Sequence, residues 1–270
     1  MLRKEKAMER RHEERVGKME KGRDPGVERW VSRQVAAESY WFHKIRLFDD
    51  LVTPGWSDPE KEKLPYFGMP KKLSGLRVLD IGCAEGYFSF LAEKRGALEV
   101  VAIDSFPDSI RRFNICRAAL DSKATAYLSS VYDLSPRTFG TFDLVLFYGV
   151  LYHLRNPLLA LERILDVCTG TLLLQTAVYE VPGFSEQPLA KFYPGGMQSG
   201  PVSEKGEHEC FDPTVFWMPN RTCVKSMVHS VGFRKIELVS DDPKVSIVLR
   251  AKGRSTERGK APDQSKAPWS

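Results

Sequence analysis

Residues 77–86 read Arg-Val-Leu-Asp-Ile-Gly-Cys-Ala-Glu-Gly, and they constrain the fold more than any other stretch of the chain. An apolar run carries Asp80, turns between Gly82 and Gly86, and passes into a helical pattern. A strand buried on both faces reads as a near-continuous apolar run. In open α/β sheets, a tight turn from such a strand into a helix forms one wall of the crevice where ligands bind. Gly82 carries no Cβ, so the backbone there is free to turn and to approach a ligand closely.

A glycine turn alone says little about the ligand. The second half of the unit is also present: residues 99–104 read Glu-Val-Val-Ala-Ile-Asp, and Asp104 lies 18 residues after Gly86. An acid at the end of the second strand accepts hydrogen bonds from the hydroxyls of a ribose. The fingerprint G-x-G-x-x-G is missing, so a pyrophosphate is not the obvious ligand. A nucleoside without phosphates fits better.

On these residues the chain resembles the class I S-adenosyl-L-methionine-dependent methyltransferases, over roughly residues 73–251. The resemblance implies an α/β fold with a Rossmann-like, mostly parallel sheet whose last strand is antiparallel. It implies S-adenosyl-L-methionine as cofactor, with Asp80, Gly82, Cys83, Glu85 and Gly86 around its methionine part. Asp104 and Ser105 would hold its ribose. Ala84 stands where the family most often has glycine.

Charge and cysteines narrow the setting. The net charge is +5, but residues 1–24 hold nine Lys/Arg against six Asp/Glu, and residues 252–270 hold five against two. The body between them is close to neutral, which argues against a broad nucleic-acid-binding face. No apolar run is long enough to span a membrane, and the charged N-terminus does not read as a secretory signal. Five scattered cysteines without a CxxC pair point to a reducing cytoplasm and away from zinc.

Strands are expected near 77–81, 99–104, 124–128, 142–148, 170–176, 233–239 and 244–251. Helices are expected near 87–95, 107–120, 157–167 and 221–230. Strand–helix alternation means parallel strands and right-handed crossovers. Residues 1–24 read as a charged helix or a disordered tail. Residues 25–72 read as an N-terminal cap: over 27–48 an amphipathic helix followed by an aromatic cluster, then a proline-rich connector. The methyltransferase domain is expected over 73–252, and residues 253–270 as a disordered basic tail. Within the domain, residues 178–219 are too long for a simple connection; loops of this length are usually lids or binding loops.

Methyl transfer from a sulfonium is an in-line displacement whose leaving group is already activated. Alignment and exclusion of water are the main tasks, and a base is needed only if the nucleophile carries its proton. After the third strand, Val131 and Tyr132 would flank an adenine ring. After the fourth comes Tyr148-Gly149-Val150-Leu151-Tyr152-His153, which the fold aims at the reactive sulfur. This stretch is similar to a narrower group, the tRNA wobble-uridine carboxymethyltransferase-like methyltransferases. Leu47, Trp56 and Lys61 match a Leu…Trp…Lys spacing of that group, so Trp56 and Lys61 are expected to reach the cofactor; Asp212-Pro213 and Trp217-x-Pro219-Asn220 also match.

Carboxymethyltransferases of the group hold an extra cofactor carboxylate with a Lys, a Tyr and an Arg. Here Tyr152 matches the tyrosine, whereas Phe42 and Val245 stand at the cationic positions and Lys44 lies two residues from the first. The unpaired carboxylate favours plain S-adenosyl-L-methionine as donor. Tyr152 and His153 are the catalytic candidates, with His153 either a general base or a histidine held by its neighbours. His43, His208 and Trp217 are candidates for the acceptor side, and no metal site is expected. The leading function is methyl transfer to an oxygen or nitrogen of a small organic acceptor. The alternatives are a tRNA wobble-uridine methyl- or carboxymethyltransferase and a non-catalytic module of the same fold.

Overall fold

The computed structural model describes residues 24–48, 50–202, 208–242 and 246–253. The expected charged helix over 3–21 and the expected basic tail lie outside these residues, as does Val245. The order of elements begins with helix α1 (Pro25–Ala37), a short hairpin of β1 (Arg46–Phe48) and β2 (Leu51–Val52), and one helical turn, α2 (Pro59–Glu62). Then follow β3 (Arg77–Ile81), α3 (Tyr87–Lys94), β4 (Glu99–Asp104), α4 (Pro107–Ala119), β5 (Thr125–Leu128), α5 (Pro136–Phe139) and β6 (Phe142–Tyr148). The remainder comprises α6 (Pro157–Val167), β7 (Cys168–Ala177), β8 (Ala190–Phe192), β9 (Met197–Val202), β10 (His208–Asp212), β11 (Trp217–Pro219), α7 (Arg221–Ser230), β12 (Arg234–Asp242) and β13 (Ser246–Lys252).

Seven strands form one sheet in the order β12-β13-β7-β6-β3-β4-β5. Strands β3 to β7 run parallel, and β13 is antiparallel to both of its neighbours. The chain therefore builds outward from β3 through β4 to β5, then returns to the other side of β3 with β6. That reversal opens a crevice at the C-terminal ends of β3 and β6, the topological switch point of an open sheet. The glycine turn after β3 and the Gly149–His153 stretch after β6 meet there.

Alternation along each strand feeds two cores. Leu79, Ile103, Phe142, Val145 and Phe147 face one side, where α6 and α7 pack with Leu161, Ile164, Leu165, Val224 and Val228. Val78, Val100, Ala102, Leu144 and Leu146 face the other, under α1, α3 and α4 with Val31, Phe88, Phe113 and Ile115. Neighbouring residues of one strand pointing to opposite faces is the period of two that a doubly covered sheet requires. Helix starts follow local chemistry. The Asp24 side chain accepts from Gly26 N–H with Pro25 in the first turn, and the Asn220 side chain accepts from Cys223 N–H at 2.8 Å. Pro107 and Pro157 open α4 and α6, where a missing N–H costs nothing.

The amphipathic helix ends at Ala37, ahead of the aromatic residues that lead into the β1–β2 hairpin. One expectation is corrected. The 178–219 segment is not plain loop: β8 pairs with β11, and β9 with β10, in two small antiparallel ladders. Strands of three to six residues interrupted by prolines and glycines leave too short a pattern to read from sequence. Among the described residues, no helix is long and apolar enough to cross a membrane.

Candidate functional site

The crevice wall after β3 is built from backbone. Gly82 takes φ +71°, and a Cβ there would sit 2.4 Å from Cγ2 of Val150, so the turn and the segment after β6 touch across the site. Ala84, in the position where glycine is common, is also left-handed at φ 48°. That conformation costs an L-residue about 1–2 kcal/mol, and a bond from Ala84 N–H to Oδ2 of Asp104 (3.0 Å) opposes the cost. Asp104 accepts a second bond from Phe106 N–H at 2.9 Å. A carboxylate has about four lone-pair positions, so acceptor capacity remains for a ribose beside the glycine turn. Ser105, next to it, is exposed. Burial raises the Asp104 carboxyl above its ordinary value, against the pull of those two N–H groups.

Asp80 sits beneath this wall. It is buried, accepts from the Ser89 hydroxyl at 2.5 Å, and is pushed up to about 6, chiefly by burial, with nearby Asp104 adding to the shift. It ties the first turn of α3 to the end of β3. Val131 is buried, and the half-buried Tyr132 packs against the same core. The Tyr132 hydroxyl accepts from Asn156 N–H at 3.0 Å, joining the loop after β5 to the one after β6.

Three residues expected at the cofactor direct their side chains elsewhere. Glu85 is fully buried, and its carboxylate accepts from the N–H groups of Phe42 (2.8 Å) and His43 (3.3 Å), with Arg112 Nε at 3.5 Å. Burial opposes its charge, but His43 and Phe42 together hold the carboxyl below its usual range. It ties the cap to the glycine turn. Cys83 directs its side chain into the core between α3 and α4, leaving only its backbone at the turn. Tyr148 turns away from the crevice and donates to the Phe67 carbonyl at 3.1 Å, within a ring cluster with Phe67 and Phe88. Gly149 follows it at φ +73°.

The cap lies against the turn through Glu85. His43 bridges to Ser57, which brings Trp56 edge-on to Phe42 at 4.8 Å. Trp56 itself is 66% exposed, and its indole N–H donates to the Tyr40 hydroxyl. Lys61 is exposed and pairs with Asp58 at 3.1 Å. His43, expected on the acceptor side, is instead buried between Glu85 Oε2 (3.4 Å from Nδ1) and Lys63 Nζ (3.1 Å from Nε2). Burial lowers its pKa, so the ring is neutral at pH 7.

Across the crevice, Tyr152 and His153 form a helical turn after β6. Burial raises the Tyr152 phenol to about 12, so it stays protonated and can only donate or accept a hydrogen bond. Burial lowers the His153 imidazole below its ordinary value, against the charge of Asp212. A neutral imidazole at this place is able to take a proton. Trp217 lies on β11, stacked on Phe192 at 4.6 Å, and its N–H donates to the Arg155 carbonyl at 3.2 Å. It anchors the 178–219 segment to the turn that carries His153. His208 opens β10 opposite Val202; its side chain lies outside the described residues. Among the described residues no cluster of three or more His, Cys, Asp or Glu is placed to hold a metal.

A family profile described as a methyltransferase domain matches residues 56–238. The chain belongs to the methyltransferase-domain family. Its sheet and crevice are those of the class I S-adenosyl-L-methionine-dependent branch. A tRNA U34 carboxymethyltransferase of Chromohalobacter salexigens is 27% identical over 190 residues, covering 68% of this chain and 51% of the relative. One from Trichlorobacter lovleyi is 37% identical over 114 residues, 40% of this chain and 34% of the relative. The methyltransferase thus spans about half the length of the first of these relatives, and less of the second. The N-terminal domain of EvdMO1, crystallised with S-adenosylhomocysteine and D-fucose, superimposes with a TM-score of 0.63 at 18% identity, over 84% of this chain and 97% of that one. This likeness concerns the fold.

Sequence reasoning missed three residues that the structure places against the candidate site residues. Lys63 is half-buried where Lys61 is exposed: its Nζ lies 4.2 Å over the Phe42 ring, and partial burial lowers it to about 8. Nothing in the run Lys61-Glu62-Lys63 tells the half-buried lysine from the exposed one. Asp212 and Thr214 reach His153 from a segment some 60 residues away, and the only sequence signal was the Asp212-Pro213 resemblance.

Proposed function

We propose that the protein transfers a methyl group from S-adenosyl-L-methionine to an oxygen or nitrogen of a small organic acceptor. The observation that carries this reading is the crevice wall in which Asp104 is bonded to Ala84 of the left-handed glycine turn, with acceptor positions to spare. Those residues fit a nucleoside without phosphates. When bound, the cofactor supplies an activated methyl group. The chain's own contribution is to hold and orient: Asp104 for the ribose, the 82–86 backbone for the methionine part, Val131 and Tyr132 beside the adenine, Trp56 at the mouth. Tyr152 and His153 face the acceptor, and Trp217 with its neighbours limits water. The 178–219 segment acts as the lid of residues 73–252, with residues 25–72 as a cap. Four buried free thiols, Cys83, Cys116, Cys168 and Cys223, accord with a reducing, cytoplasmic setting.

The test is cofactor binding by Asp104→Ala. Loss of two or more hydrogen bonds to an ionised acceptor predicts at least a ten-fold weaker Kd, since each is worth about 1.5–3 kcal/mol. Unchanged affinity would remove Asp104 from the site.

A second reading is methyl or carboxymethyl transfer to the wobble uridine of tRNA, the activity named for the curated relatives. One observation favours it. Phe42 stands where that group has a lysine, and Lys63 brings an ammonium over its ring. The near-neutral body speaks for the small acceptor. Binding to tRNA that falls steeply with salt would support the second reading; no binding at low salt would end it.

A further inference from the structure

Three side chains from two distant segments form a chain of hydrogen bonds on the acceptor side. Thr214 Oγ1 lies 2.8 Å from His153 Nδ1 and donates to Asp212 Oδ1 at 2.5 Å. Thr214 N–H donates to the same carboxylate oxygen at 2.8 Å. A hydroxyl has one proton. With that proton on an ionised carboxylate, in a short charge-assisted bond, the hydroxyl can only accept from the ring. His153 Nδ1 therefore carries the hydrogen, and the lone pair resides on Nε2. A ring nitrogen also bonds the Thr214 backbone.

We propose that Asp212 and Thr214 are positioning residues that fix His153 in its Nδ1–H tautomer, so that Nε2 is the base for an acceptor hydroxyl. This rests on the reading of the site as a methyltransferase. In the step, the acceptor oxygen forms a bond to the sulfonium methyl carbon while the carbon–sulfur bond breaks, its electron pair going to sulfur. The hydroxyl proton passes to Nε2. The imidazolium so formed keeps its Nδ1–H on Thr214 Oγ1, with the Asp212 charge behind it. The proton leaves to water once product departs.

The relay also joins base to lid. Asp212 ends β10, and the chain leaving it is docked on the His153 turn three times over. Phe216 N–H donates to the Tyr152 carbonyl at 2.9 Å. The Trp217 indole donates to the Arg155 carbonyl at 3.2 Å. The Arg155 guanidinium lies 4.6 Å over the Phe216 ring. The tautomer is therefore set only when the 208–219 stretch is seated. A site of this kind does its proton transfer with the acceptor enclosed, which is what excludes water from the displacement.

The test is ¹⁵N NMR of the full chain with labelled histidine, without substrate. The expected result is a protonated-type Nδ1 and an unprotonated-type Nε2 for His153 in the wild type. The Thr214→Ser variant should keep that pattern. Thr214→Val and Asp212→Asn should lose it, the two nitrogens moving toward the averaged values of a free imidazole. A wild-type Nε2–H tautomer, or a pattern unmoved in Thr214→Val, would overturn the relay. His153→Gln that retains turnover with an unchanged pH profile would overturn the base reading while leaving the relay in place. Loss of cofactor binding by the wild type would fall on the methyltransferase reading alone.

Discussion

Replacing Asp80 by Asn should change the pH dependence of stability by an amount the structure sets. The carboxyl is buried and its pKa is raised from 3.8 to about 6 in the folded protein. The folded state thus holds this proton more tightly than the unfolded chain does. The group favours folding below the unfolded pKa, and that support is lost as pH rises to about 6. A shift of roughly two units corresponds to ~3 kcal/mol in full, of which about half, ~1.5 kcal/mol, falls between pH ~5 and pH ~8. Asn keeps an oxygen for the Ser89 hydroxyl and does not ionise. Its amide introduces donors with a cost of their own, about 1–3 kcal/mol if unpaired, but that cost does not vary with pH. Urea unfolding of both proteins at the two pH values isolates the difference. The stability of Asp80→Asn relative to wild type should improve by ~1.5 kcal/mol from the lower to the higher pH. Parallel behaviour of the two proteins would refute the reasoning and mean that Asp80 is hydrated or ionised without penalty.

Other substitutions probe the rest of the site. Gly82→Ala places a methyl 2.4 Å from Val150 at φ +71°; it should cost about 2–4 kcal/mol in thermal or urea unfolding, from backbone strain and overpacking together. Glu85→Ala leaves two backbone N–H groups and His43 without their acceptor and takes one of two carboxylate partners from Arg112. Its loss should cost about 3–5 kcal/mol of stability, and limited proteolysis should then cut residues 38–57 first. Lys63 is lowered from 10.5 to about 8 by burial, so the unfolded chain binds its proton more tightly. Stability should rise as pH climbs from 8 toward 10.5, and Lys63→Met should flatten that rise in unfolding measured across the range.

The legible parts of the fold were those with a period. The seven sheet strands and four main helices announce themselves through buried runs and glycine, proline or Asn caps, and they fall within a few residues of expectation. The crevice was legible for the same reason, since Gly82 and Asp104 mark strand ends and Gly86 a helix start directly. What the sequence hid was partnership over distance. Glu85 reads as a turn acid, yet the folded chain spends it on backbone donors 42 and 43 residues upstream. Tyr148 ends an apolar strand whose last ring happens to face Phe67 rather than the crevice. Which of Lys61 and Lys63 is drawn inward depends on how a one-turn helix, Pro59–Glu62, lies against Phe42 and His43. The His153 partners come from a segment with neither helical nor strand period long enough to place Thr214 beforehand.

Calorimetric titration of the purified protein with S-adenosyl-L-methionine, and in parallel with its carboxy form, tests the central claim most directly. The account predicts saturable one-to-one binding of the plain cofactor, tighter than the carboxy form, and lost in Asp104→Ala. Tighter binding of the carboxy form would contradict the plain methyl donor and bring Lys63 and tRNA forward. Absence of binding by either would contradict the methyltransferase site itself.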